Sequence, residues 1–428
     1  MFAWLLVFGI FIYMTRPTHK WANLDGIPLL DVPTCTAFLL IVWILGWFLN
    51  PKAKHIQGNI LMLAFLFYTI VIIVSTVVSS YIGFLESYRS QSWTNYMLFF
   101  VLLVTSVKTE RDLKLVATAC SVCFFLEMLH IYWTGQTFHS VGVMRFTPGS
   151  ESRFANVNQL GAAVIILLPL IFPVVTLCKK YWHYLFVLGY VLLTVRLVTM
   201  TGSRTAFIML IALVILPVLF SRYRFRILLL LLLALPVGWF ALPEDMQNRY
   251  RTLWDPTVNQ TANVTREARV MGFRHGMENW MTHPIFGTGA GGGPRAPLAD
   301  GSISFLAYFQ GGAHNLAGQV AGEMGTLGIT TFLFMLFCFG INHYKIWKNY
   351  QYLQGKNLGK EGLYTFRVSI AVMFGVLMLL LMGLGENSAL RTEWIWFGAF
   401  QILAVRIMQE KVTAAMQGKL LPSLPMKN

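Results

Sequence analysis

Residues 268–293 read ARVMGFRHGMENWMTHPIFGTGAGGG, and residues 311–329 read GGAHNLAGQVAGEMGTLGI. The two stretches concentrate arginine, histidine and glycine in a chain that is otherwise mostly apolar. The second stretch runs directly into a long hydrophobic segment that begins at His314 and Asn315. This pattern predicts an arginine-rich, water-facing segment beside the end of a membrane helix, and the two together would form a site for an anionic ligand.

The composition is that of a membrane protein. Of the 428 residues, 56% are hydrophobic and 12% are charged, and the mean hydropathy is +0.60, whereas soluble domains carry about 25% charged residues. Repeated apolar runs approach the ~20 residues that cross a bilayer as a helix. We therefore predict an all-α, polytopic integral membrane protein that forms a single membrane domain (1–428), with an uncleaved first span. The twelve predicted spans are 1–14, 34–49, 59–80, 92–107, 114–133, 159–178, 181–200, 204–220, 226–242, 314–341, 366–384 and 392–408.

This layout separates the charges when the N terminus is placed in the cytoplasm. The inside segments hold 19 lysines and arginines against four acidic residues, while the outside segments hold 13 against 12. An excess of cations in cytoplasmic loops is the usual orientation signal, so both termini are predicted to be cytoplasmic. Topology then explains the formal net charge of +15, which removes the case for nucleic-acid binding.

Arginine dominates the cations outside: 12 of 13 are arginine there, whereas 13 of the 19 inside are lysine. The planar guanidinium binds phosphate through two parallel hydrogen bonds, so these arginines fit a diphosphate or an acidic glycan; ordinary ion pairs are the alternative.

The longest outside loop, 243–313, contains a predicted amphipathic helix at about 263–281. The glycine run 287–293 lacks the Lys-Ser/Thr of a P-loop, and is expected to give flexibility over a groove or a compact backbone.

Several polar residues lie where predicted spans meet the outer surface. His314 can act as a general base for a hydroxyl, and an interfacial, hydrogen-bonded histidine is the alternative. Arg204, in TGSR, can bind an anion or can be a snorkelling anchor. Asn315 adds an amide next to His314. Glu323 lies deep in the same span, where ionisable groups are costly and are candidates for function. Arg196 is a candidate partner, and a purely structural ion pair is the alternative.

Other residues are candidates for anion binding. Arg153 precedes the sixth span with Asn158 nearby, and a polar loop before a helix is the alternative. Arg266 and Arg269 share a helix face, whereas about 140° separates Arg269 from Arg274; a solvated basic face is the alternative. The five cysteines lie in or beside apolar runs, and the pattern supports neither a metal nor a redox site.

Four local patterns, in this order, resemble the O-antigen ligase and polymerase superfamily of membrane glycan transferases. They are RFANVNQLGA at 153–162, TGSRTAFI at 201–208, the segment from Arg269 through HPIFGTGAG at 283–291, and HNLAGQVAGEMGTLGI at 314–329. The resemblance covers the C-terminal two thirds of the chain and includes the long outer loop. It departs from the family at Val157, where Asn-Pro-Asn is usual, and at Phe273, where Trp is frequent.

The resemblance implies an activity and roles for named residues. Members transfer a glycan from an undecaprenyl-diphosphate carrier to an acceptor hydroxyl, such as one on lipid A-core, at the outer side of the bacterial inner membrane, and they need neither nucleotide nor metal. By resemblance, His314 activates the acceptor, while Arg204 and Arg269 hold the diphosphate as it leaves. A polymerase that lengthens the glycan on its carrier, or a transporter of the lipid-linked sugar, stays open as an alternative. The remaining substrate-binding candidates are Arg153, Asn158, Arg266, Arg274 and Asn315.

Overall fold

The computed structural model describes residues 2–15, 32–49, 58–83, 87–140, 143–147, 157–219, 224–255, 260–297 and 313–420. The apolar stretches fold as helices because backbone polar groups inside a bilayer must find partners within the chain. The helices are α1 (Phe2–Thr15), α2 (Val32–Leu49), α3 (Ile60–Val77), α4 (Tyr88–Ser106), α5 (Glu110–Thr134), α6 (Val157–Leu167), α7 (Ile171–Val175), α8 (Tyr181–Thr201), α9 (Arg204–Leu219), α10 (Arg224–Phe240), α11 (Glu244–Arg251), α12 (Gln260–Thr282), α13 (Leu316–Gly355), α14 (Gly359–Met382) and α15 (Glu393–Met416).

Six helical segments of the described chain are long and apolar enough to cross a membrane. They are Ile60–Val77, Glu110–Thr134, Val157–Val175, Tyr181–Thr201, Leu316–Gly355 and Gly359–Met382. Shorter apolar helices accompany them at Trp4–Tyr13, Thr34–Leu45 and Arg204–Val218. Each of the twelve predicted spans falls on helix, so the prediction of a polytopic, helical membrane protein is confirmed. The number of crossings stays a prediction.

A β-hairpin is the element that the all-α prediction missed. Strands β1 (Gln136–Ser140) and β2 (Val143–Thr147) pair antiparallel, with Phe138 opposite Arg145. An isolated two-stranded hairpin is marginally stable in water, and this one is anchored by burial of Arg145 and Phe146. Five-residue strands between two long apolar runs carry too short an alternation to be recognised from sequence.

Helix α13 lies at the centre of the bundle and packs against α3, α12, α14 and α15. The corresponding span was predicted at 314–341, but the helix continues to Gly355 and has 40 residues. At 1.5 Å per residue its length is about 60 Å, roughly twice the ~30 Å hydrocarbon core. Hydropathy marked the apolar part of the helix and could not mark its polar extension.

Helix α13 is bent at Gly325, where a loop takes over its backbone hydrogen bonds. Gly325 has φ 65° and ψ −160°, a conformation that glycine tolerates. At the bend the carbonyl oxygens of Gly322 and Glu323 accept from the backbone amides of Thr288 and Gly289, each at 2.9 Å. The glycine run at 287–293 is therefore a compact, hydrogen-bonded part of the backbone, the second of its two predicted roles.

Helices α12 and α13 cross at glycines, with their backbones in contact. A Cβ atom on Gly276 would lie 2.5 Å from the carbonyl oxygen of Gly318, and one on Gly322 would lie 2.7 Å from that of Gly276. Small residues spaced four apart permit such close approach between membrane helices. The helix predicted at 263–281 is confirmed as α12, and this crossing holds it against the first part of α13.

Candidate active site

The turn between α14 and α15 carries a buried carboxylate, Glu386. The backbone amide of Leu316 donates to the carbonyl oxygen of Gly383 at 2.7 Å, which ties the start of α13 to this turn. From the same helix, Gln319 Oε1 accepts from the backbone amide of Ala389 at 3.0 Å. These bonds hold Glu386, which is 6% exposed, beside the N terminus of α13.

The Glu386 carboxylate contacts three elements that are remote in sequence. Its Oε1 accepts from Asn158 Nδ2 of α6 at 3.0 Å and lies 3.7 Å from Arg269 Nη2 of α12. Its Oε2 lies 3.6 Å from His314 Nδ1. A carboxylate beside one imidazole nitrogen favours the proton on that nitrogen and leaves the other nitrogen as the base.

His314 has an unusual backbone and an unused ring nitrogen. Its φ is 48°, in the left-handed region that non-glycine residues rarely adopt and that costs about 1–3 kcal/mol. Its Nε2 is buried without a hydrogen-bond partner in the described part of the chain. Asn315 Oδ1 caps α13 by accepting from the amides of Ala317 and Gly318, which holds His314 just outside the first turn. With Nδ1 facing the carboxylate, Nε2 is the atom that can accept a proton.

Arg145 reaches the same carboxylate through an amide. From β2, its Nε donates to the carbonyl oxygen of Thr201 at 2.9 Å, and its Nη2 donates to Asn158 Oδ1 at 2.8 Å. Because Asn158 Nδ2 donates to Glu386, both ends of this amide are used within the site. Asn158 therefore bridges a guanidinium and a carboxylate.

Two further arginines add positive charge to the site. Arg204, the first residue of α9, donates from Nη1 to Thr252 Oγ1 at 3.1 Å. Arg249, on α11, donates from Nε to the carbonyl oxygen of Gly202. These bonds fix each guanidinium through part of its donor set. Since a guanidinium has five N–H donors, each arginine keeps several that the named bonds do not use.

The four arginines repel one another. Burial, with repulsion from Arg249 next, lowers the pKa of Arg145 to about 9. Burial, with repulsion from Arg204 next, lowers the pKa of Arg249 to about 10. Arg204 also interacts unfavourably with Arg269. Four positive charges and the one carboxylate of Glu386 give this cluster a formal charge of +3, which an arriving anion would offset.

Tyr250 adds a neutral donor beside these charges. Its ring stacks on Phe207 with centroids 4.2 Å apart, and its hydroxyl is buried without a partner in the described ranges. The hydroxyl interacts electrostatically with Arg249 and Arg145, yet burial is the larger effect and raises the pKa of Tyr250 to about 12. A buried, protonated phenol next to two guanidinium groups suits an oxyanion, because an unsatisfied buried donor is costly.

The structure separates the residues predicted from sequence into two groups. In one group, His314, Arg269 and Asn158 face the Glu386 carboxylate, and Arg204 interacts electrostatically with Arg269. In the other group, Asn315 caps α13 through its side-chain oxygen, and Arg274 is exposed on α12. Arg266 belongs to α12, but its side chain lies outside the described residues, as does the whole of Arg153.

Glu323 does not pair with Arg196, which was only a candidate partner, and forms an ion pair with another arginine. Its Oε1 lies 2.6 Å from Arg89 Nη1 of α4, whereas Arg196 is exposed. Its Oε2 accepts from the backbone amide of Gly291 at 3.0 Å and from Gln319 Nε2 at 3.4 Å. A carboxylate with this many partners joins α4, α13 and the glycine run, which is a structural role.

The described residues thus form a polytopic helical membrane protein with a half-buried cationic site and a histidine beside it. Residues 188–333 match the family model described as O-Antigen ligase. The match covers 146 of the 428 residues, and members of the matched family are membrane glycan transferases. The matched range includes Arg204, Arg249, Arg269 and His314 but not Glu386. A comparison with curated proteins gave no match.

Proposed function

We propose that this protein transfers a glycan from a polyprenyl-diphosphate carrier to an acceptor hydroxyl, as an O-antigen ligase does. The observation that carries the proposal is the cluster of four arginines, of formal charge +3, beside His314 and Glu386. A diphosphate is the anion that such a cluster suits, because guanidinium groups bind phosphate oxygens in pairs. The family match supports a lipid-linked glycan as the donor.

The proposed chemistry needs one base and a charged pocket. His314 Nε2 takes the proton of the acceptor hydroxyl, while Glu386 stabilises the imidazolium that forms. The acceptor oxygen then bonds to the anomeric carbon as the bond from that carbon to the diphosphate oxygen breaks. The electron pair leaves with the polyprenyl diphosphate, whose added charge Arg204 and Arg269 stabilise together with Arg145 and Arg249.

The proposed setting is the outer face of the bacterial inner membrane. The separation of lysine and arginine along the chain supports cytoplasmic termini, twelve spans and an outer loop at 243–313. Arg249 and Arg269 belong to that loop, and His314 follows it directly. The outer face is also where a lipid-linked glycan meets acceptors outside the cytoplasm, such as lipid A-core.

The test uses purified protein in lipid with a defined undecaprenyl-diphosphate oligosaccharide and a candidate lipid acceptor. We expect release of the carrier together with one glycan added per acceptor, and loss of both in His314→Ala. A matched control is His283→Ala: that histidine lies on the same outer segment, where its Nε2 is 3.3 Å from the hydroxyl of Tyr81.

The products separate the candidate activities. A ladder of longer glycans on the carrier would make the protein a polymerase, which is the alternative within the family. Movement of the intact lipid across the bilayer, without release that depends on His314, would contradict both and favour a transporter. Full activity in His314→Ala would refute the assignment of the base.

A further inference from the structure

A groove lies on α13 toward its C-terminal end, away from His314. Its volume is about 630 Å³, within the range of about 300–1,000 Å³ that small ligands occupy. Phe337 and Ile341 line it, and Gln409 of α15 closes one side. Gly340 forms its floor, since a Cβ atom there would have no neighbour within 4 Å. The absence of a side chain at Gly340 keeps this part of the groove open.

The apolar part of the groove continues into a basic end. Lys345 and Lys348 line that end and, three residues apart, lie on one face of the helix. Both are exposed, and neither forms an ion pair with a carboxylate of the described residues. They are the first cations after the apolar stretch 329–341.

Aromatic side chains mark the same level of the helix as a membrane boundary. Tyr344 is 58% exposed and Trp347 is 43% exposed, and their ring centroids lie 5.8 Å apart. Exposed tyrosine and tryptophan are enriched where a bilayer meets water. The groove therefore begins within the apolar layer and ends at its surface.

We propose that this groove binds one anionic phospholipid of the surrounding bilayer. Its acyl chain lies against Phe337, Gly340 and Ile341, and its phosphate lies between the ammonium groups of Lys345 and Lys348. Charge and polarity select this occupant: a soluble anion would not use the apolar half, and a lipid without net charge would gain little from two unpaired lysines. Basic pockets between membrane helices bind acidic lipid headgroups in this way. The site is separate from the proposed transfer site and does not depend on that function.

The test is native mass spectrometry of the full-length, delipidated protein titrated with phosphatidylglycerol or phosphatidylcholine of matched chains. We expect one phosphatidylglycerol to bind more tightly than phosphatidylcholine. Lys345→Gln with Lys348→Gln should weaken that affinity about thirtyfold, from about 1 kcal/mol for each cation removed. Gly340→Leu should also remove the selective adduct, because the new side chain fills the groove while leaving both charges in place.

Lys356→Gln with Lys360→Gln is the matched control, since both of these lysines are exposed near the junction of α13 and α14. The control should leave the affinity within about twofold. Equal binding of the two lipids by the wild-type protein would overturn the proposal, as would equal losses in both lysine pairs. A dimer that Gly340→Leu dissociates, without a selective lipid adduct, would assign the groove to a second copy of the chain and overturn it too.

Discussion

Replacing Glu386 by Gln should separate binding from catalysis. Glutamine keeps the shape of the side chain and an oxygen that can accept from Asn158 Nδ2, the bond that measures 3.0 Å in the native site. It removes the one negative charge that faces both His314 and Arg269. The catalytic rate should therefore fall while affinity for the anionic donor is kept or improved.

The magnitude follows from the geometry. Unit charges about 4 Å apart attract by about 4 kcal/mol at an effective dielectric constant near 20, and Oε2 of Glu386 lies 3.6 Å from His314 Nδ1. Because His314 is 22% exposed, solvent screens the pair, and we reduce the attraction by about a third, to about 2.7 kcal/mol. A loss of about 2.7 kcal/mol corresponds to about a hundredfold loss of kcat. The formal charge of the cluster rises from +3 to +4, so Kd for the donor should not increase.

Single-turnover transfer and donor titration, both in lipid nanodiscs, would measure the two effects separately. Glu393→Gln is the control, because Glu393 is a buried carboxylate that pairs with Arg391 at 2.6 Å near the same turn. That variant should change stability without the split between kcat and Kd. An unchanged kcat in Glu386→Gln together with a weaker donor affinity would refute the role given to Glu386.

Three further sets of substitutions give separate tests. Arg145→Lys should lower transfer about tenfold to a hundredfold, because an ammonium cannot make the paired bonds to Thr201 and Asn158; initial rates at saturating donor would contradict this if they stayed normal. Gly276→Ala should destabilise the protein by about 1–3 kcal/mol through overpacking, whereas Gly340→Ala, in open space, should stabilise it by up to about 1 kcal/mol. Thermal unfolding in detergent compares the two variants. Equal shifts in their unfolding temperatures would count against the close crossing of α12 and α13. Asn315→Ala should cost about 1 kcal/mol of stability through the lost cap and reduce transfer, while Asn315→Asp should retain both; similar behaviour of the two variants would remove the cap from the account.

The helices and part of the site could be predicted because their signals are local. Apolar runs near membrane-spanning length placed a helix at each of the twelve predicted segments. His314, Arg204 and Arg269 stand within short patterns that resemble one family. In the structure His314 and Arg269 face the Glu386 carboxylate, and Arg204 interacts with Arg269. A functional residue that lies within a short, recognisable sequence pattern can be found from one sequence.

Glu386 and Arg145 could not be found in this way. Glu386 lies in a short turn, and its place in the site depends on the bond between Leu316 and Gly383, a contact between distant parts of the chain. Arg145 enters the site on a hairpin of two five-residue strands that hydropathy does not reveal. Arg249 belonged to the arginine-rich outer segments, but no local pattern distinguished it from the other arginines there. Each of the three depends on tertiary contacts that one sequence does not display.

Glu323 is a residue whose importance the sequence indicated but whose partner it could not identify. Its depth in a membrane helix correctly marked it as a residue that needs partners. The partner could not be chosen from sequence, because several arginines were available and only the tertiary fold brings Arg89 of α4 to the Glu323 carboxylate. The bend itself depends on the loop that supplies the missing backbone bonds near Gly325.

Recognition of a diphosphate by the arginine cluster is tested most directly by comparing the affinities of polyprenyl diphosphate and polyprenyl monophosphate. In nanodiscs of one lipid composition, we predict that the diphosphate binds at least about tenfold more tightly, or by about 1.4 kcal/mol. This preference should disappear when Arg204 and Arg269 are both changed to Gln. Equal affinities for the two lipids in the wild-type protein, or a preference that survives the double substitution, would contradict the account.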